Sequence, residues 1–134
     1  YLKQRRFEPA RHALQERIRL KPDNTFAPLI SLGVLTRHLG EAESDEHFHS
    51  ALAQWDKAWR DRLQTPFGLL SYKAIALLCL GRKEEALATL REALAERSPG
   101  DVIEFSHCEL LHTAPCPPEG IEEMIALLKA TAGN

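Results

Sequence analysis

Cysteine is scarce in this chain, three in 134 residues. That count is odd and too small to staple a disulfide-built miniprotein. No apolar run approaches the roughly 20 residues a membrane-spanning helix needs, and the basic opening at residues 1–6 leads into no signal-peptide core. Charge of one sign is missing too. Seventeen bases face 19 acids, so no overall positive field exists to hold nucleic acid or an anionic membrane. Gly-x-Gly-x-x-Gly, the Walker phosphate loop, Gly-x-Ser-x-Gly and His-Glu-x-x-His are all absent, and no Cys-x-x-Cys pair occurs. The carboxylates form no recognisable acid/base pair, and the bases of the first 21 positions lack the aromatic interleaving of single-strand binders. The expectation is a chain that is not an enzyme, carries no cofactor, and binds neither nucleic acid nor membrane. The free thiols favour a reducing, cytoplasmic setting.

What is present is helical periodicity. Apolar residues make up 44% and charged residues 27%, ordinary for one globular domain. Phe48, Ala51, Leu52, Trp55, Trp59 and Leu63 recur at steps of three and four, which predicts one helix of about 20 residues. Ala10, Ala13, Leu14 and Ile18 form another stripe. Further stripes run through Phe26 to Leu39, Leu70 to Leu78, Ala86 to Leu94 and Ile121 to Leu128. No segment alternates like a half-buried strand, so the fold class is all-α. Pro9, Pro66, Pro99 and Pro118 suit first helical turns. Ser98 with Asp101 reads as a capping box opening a helix at Pro99. Gly40 and Gly81 read as left-handed helix stops. Short connectors imply antiparallel neighbours.

Internal self-similarity organises these helices. Residues 73–94 give a helix, a Gly stop at Gly81, the pair Glu85-Ala86, Leu90 four on, Ala93 three further, and then the turn at Pro99. Phe7, Ala10, Leu14 and Pro22 follow the same frame, as do Gly33, Phe48 and Ala51, and, more loosely, Gly120, Met124 and Leu127. Ala10 to Ser44 and Ala86 to Gly120 are each 34 residues apart. This pattern resembles the tetratricopeptide repeat, whose period is 34 residues. The resemblance covers about three and a half units, 1–24, 25–65, 66–100 and 101–132, within a single domain over 1–134.

The resemblance implies an α-solenoid, a right-handed superhelix of antiparallel pairs whose first helices line a concave groove. Function would then be a non-catalytic scaffold or sensor role, binding a peptide or partner helix. Projected groove residues are Ile30, Val34, Arg37 and His38 in the second unit. Ser71, Tyr72, Ile75 and Cys79 follow in the third, and Phe105, Glu109 and His112 in the fourth. The places where one subclass clamps a peptide carboxylate with lysines and an asparagine hold Ile30, Val34, Tyr72 and Ile75 here. The ligand expected is therefore apolar or helical.

Three features stand apart from that frame. Charge is uneven: the first 21 residues carry seven bases against two acids, while 101–123 hold six acids and no Lys or Arg. Together with the wide apolar stripe of the last helix, this suggests self-association through the ends as an alternative. Cys108, His112 and Cys116 at four-residue spacing, beside His107, offer a metal-binding or enzymatic alternative. His47 and His49 lie among Glu41, Glu43, Asp45 and Glu46, which predicts protonated imidazoles.

Overall fold

The computed structural model describes residues 2–22, 24–61, 65–103 and 105–132. Among them are eight helices and no strand. These are α1 Leu2–Leu20, α2 Phe26–His38, α3 Ser44–Leu52, α4 Trp55–Asp61, α5 Pro66–Cys79, α6 Lys83–Ala95, α7 Ser106–His112 and α8 Ile121–Ala132. Local chemistry sets several of the boundaries. Thr65 caps α5, its Oγ1 accepting the Gly68 N–H at 3.1 Å, with Pro66 in the first helical position. Gly40 and Gly81 take φ of 77° and 82°, and the residues after them donate back to Thr36 and Leu77, closing α2 and α5.

The helices fold back in pairs, α2 with α3, α5 with α6, and α7 with α8. α1 lies on α2, and its Arg11 pairs with Glu41 in the α2–α3 connector. α3 and α4 both pack on α5, and α8 packs on α6, where Lys83 meets Glu123 at 2.7 Å. One buried cluster joins the three pairs, with Ile30, Phe48, Leu69, Leu77, Leu90, Leu111 and Met124 almost wholly removed from water. A stack in which each pair touches only its neighbours would hold α2 and α7 apart. Here they pack directly against each other.

Four boundary expectations are corrected. The stripe from Phe48 to Trp59 is two helices, not one. The chain breaks at Ala53 and Gln54, where the Thr25 hydroxyl donates to the Gln54 side chain and Trp55 turns onto Phe26 at 5.6 Å. Leu63, the end of that stripe, lies outside the described residues. Pro9 sits inside α1, not in its first turn. No helix begins at Pro99: the Asp101 carboxylate accepts the Ser98 N–H at 2.8 Å and its main-chain oxygen accepts from Arg97, so the segment closes as a turn. The fourth unit's first helix starts only at Ser106. Gly120 stands before α8 with φ 94° and not inside a helix; a Cβ there would meet Lys83 and Leu78 at about 3 Å.

Gly33 sits at a close crossing of α2 and α3. A Cβ at this position would lie 2.8 Å from the Phe48 ring, which is fully buried and has nowhere to move. Helix propensity favours alanine over glycine by about 1 kcal/mol, and overpacking costs about 1–3 kcal/mol. Gly33→Ala should therefore destabilise the fold in urea titrations. Adding Phe48→Leu should recover part of that loss, giving a non-additive double-mutant cycle.

Candidate functional site

The second-unit groove residues do not face an open groove. Ile30 and Val34 are fully buried in the core. His38 is 6% exposed; its Nδ1 donates to the Leu110 carbonyl of α7 at 2.9 Å, and its ring meets Phe7 edge-on at 5.2 Å. Arg37 donates to the Cys79 carbonyl at the end of α5, at 2.9 Å, and to the Cys116 carbonyl in the α7–α8 connector, at 3.1 Å. Ser31 bonds His107 Nε2 of α7 at 3.0 Å. The face of α2 that the repeat frame turns toward a partner is thus occupied by the chain's own α7.

The remaining candidates line two hollows, one on each flank of α7. Ser71, Tyr72 and Ile75 border a hollow of about 230 Å³ walled by α5, α6, α7, α8 and the 97–103 connector. Cys79 is instead buried in the core beneath Arg37. Phe105, Glu109 and His112 come together in a second hollow of about 450 Å³ between α7 and α8, joined by Cys108, Glu122, Ile125 and Lys129. The acidic character read from 101–123 reappears at its rim. Glu109 and Glu122 are exposed, and His112 lies 3.6 Å from Glu122. Glu122, Ile125 and Lys129 carried no sequence signal as groove residues, because the repeat frame puts α8 on the outer side.

The sulfur and imidazole groups are dispersed. Cys108 points into the core, His112 and Cys116 face solvent, and His107 is turned to Ser31. Among the described residues no three His, Cys, Asp or Glu side chains are placed to hold a metal ion. Prolines at 115, 117 and 118 end the helical register that would have aligned Cys116 with Cys108. His47 corrects a further expectation. Burial lowers its pKa below the ordinary imidazole value and outweighs the pull of Glu43 and Glu46. Trp55 and Trp59 stack at 5.4 Å, with the Lys73 ammonium 4.5 Å above the Trp55 ring, so the pair packs beside α5 as a half-buried edge of the core.

No protein-family model, no curated protein and no solved structure matches the chain. Among the described residues no helix is long and apolar enough to cross a membrane.

Burial pushes the Cys79 thiol up to about 12 and the Cys108 thiol up to about 11. Neither is a nucleophile at neutral pH. At pH 8, iodoacetamide followed by mass spectrometry should modify Cys116 and spare the other two. Unfolded thiols ionise near 9.0, so above that pH the unfolded chain sheds protons the folded one keeps. These two groups leave stability unchanged below pH 9 and lower it progressively as pH climbs from there toward 12, measurable by urea titration across that range.

Proposed function

We propose that the chain is a non-catalytic interaction module, a tetratricopeptide-like array of helical pairs altered at its last pair, acting as a scaffold or sensor segment. Its partner is a basic amphipathic helix laid in the hollow between α7 and α8. The observation that carries this reading is the convergence of Phe105, Glu109 and His112 with Ile125 and Glu122 around one open hollow. An apolar floor with carboxylates on its rim suits a helix presenting leucine-like anchors beside lysine or arginine. Lys129 at one end of the hollow sets a direction, since it repels a base placed there. The protonated, buried thiols also speak for binding and against nucleophilic chemistry. Three unpaired cysteines suit a reducing, cytoplasmic setting.

A second reading draws on α1. Near its end the exposed Arg17 and Arg19, the latter paired with Glu16, and Lys21 just beyond the helix flank Leu20, a leucine 65% exposed. That is the chemistry asked of the partner, so another copy's α1 would also fit the acidic hollow. Sedimentation velocity separates the two. Self-association predicts a salt-sensitive rise in mass with concentration, and a foreign partner predicts a monomer throughout.

A fluorescein-labelled Leu/Lys amphipathic helix should bind by anisotropy, and its Leu/Glu counterpart should not. Glu109→Lys with Glu122→Lys should weaken binding at least tenfold, about 1.4 kcal/mol, and Phe105→Ala by a similar factor. Equal binding of both peptides, or indifference to these substitutions, would contradict the proposal.

A further inference from the structure

The smaller hollow, on the other flank of α7, has a depth that exposure reveals. Ile75, Leu90, Cys108, Met124 and Leu128 are buried and form its floor, whereas Thr65 and Val102 are exposed and mark its mouth. Small residues on α5, Gly68 and Ser71, leave the space open toward α7 and α8. About 230 Å³ is room for seven or eight groups, taking roughly 30 Å³ for each water-sized group.

Three features fix the chemistry of an occupant. First, the floor is apolar, so water gains few hydrogen bonds there. Second, Ser71 Oγ is buried with no hydrogen-bond partner among the described residues, and an unmade bond of that kind is costly to leave. Third, the lining has one carboxylate, Asp101, and no lysine or arginine. The Asp101 carboxylate accepts one bond through Oδ2, from the Ser98 N–H. Arg97 lies outside the lining and donates to the Asp101 main-chain oxygen. His107, also in the lining, is held by Ser31 and lies edge-on to Tyr72 at 5.6 Å. An incoming carboxylate, phosphate or sulfate would face like charge with no lysine or arginine in the lining to offset it; an ammonium finds its complement.

We infer that this hollow is a binding site for a small primary amine bearing an apolar chain. The chain rests on the Ile75, Leu90, Met124 and Leu128 floor, the ammonium turns toward the Asp101 carboxylate, and the Ser71 hydroxyl accepts from it. Because α5, α6, α7 and α8 all contribute walls, the ligand would bridge the last two helical pairs. This site does not depend on the partner reading, although Cys108 borders both hollows.

The test is a matched series at pH 7, hexylamine, 1-hexanol and hexanoate, followed by isothermal titration and thermal shift. Hexylamine should bind saturably at one site, at least tenfold tighter than hexanoate, with hexanol between them. Asp101→Asn should bring hexylamine down to hexanol. Ser71→Met fills the space and should abolish binding without lowering the melting temperature. Should that variant fail to fold, Cys108→Met fills the hollow from the opposite wall and must abolish binding instead. Phe105→Ala, in the other hollow, should leave hexylamine affinity intact. Hexanoate binding as tightly as hexylamine, the filled variants binding unchanged, or no saturable hexylamine binding would each overturn the inference.

Discussion

The arrangement turns on one guanidinium. Arg37 near the end of α2 reaches the last carbonyl of α5 and a carbonyl of the α7–α8 connector at once. Both acceptors need an outside donor. Cys79 O belongs to the last turn of α5, whose carbonyls lack intrahelical partners and carry the negative end of the helix dipole. Cys116 sits between two prolines, which have no N–H to offer. Hydrogen bonds from a charged donor are each worth about 1.5–3 kcal/mol. Arg37 therefore pins the α7–α8 pair across the end of α2, and its Nε remains unpartnered among the described residues.

The two hollows follow from that placement. α7 has only seven residues, too few to be stable on its own, so its position is dictated by what it docks on. Ser31 and His38 hold its two ends against α2. Seated there, it cannot also fill the space beside Gly68 and Ser71 of α5, and the smaller hollow results. Its other side faces α8, and the larger hollow, lined by Ile125, opens between them. A single docking event thus covers one face of α2 and leaves two chemically distinct cavities beside α7. One is acidic at its rim, and the other is nearly all apolar with a single carboxylate.

The helical class was legible because burial follows the three-and-four spacing of leucine and alanine. The Gly33–Phe48, Ala86 and Leu90 positions were legible because tight crossings demand a small residue facing a large one. The docking of α7 was not. It depends on a polar contact between residues 79 apart, Arg37 and Cys116, and on residues 96–103 refusing to be helical. Pro99 looked like a helix start, but Asp101 turned back on Ser98 instead. The break before Trp55 was hidden for a similar reason: periodicity runs through it, and the Gln54 side chain there is met by Thr25, 29 residues away, ahead of α2. Phe105, Glu109 and His112 were found from the repeat frame, while their companions on α8 were not, since the frame turns that helix away.

Backbone hydrogen exchange of α7 tests the central constraint most directly. A docked α7 should exchange its Leu110 and Leu111 amides on the timescale of the α2 core. Arg37→Ala should speed them at least tenfold while α5 and α6 stay protected. Amides of α7 exchanging near the rate of an unstructured peptide in the unaltered chain would contradict the account.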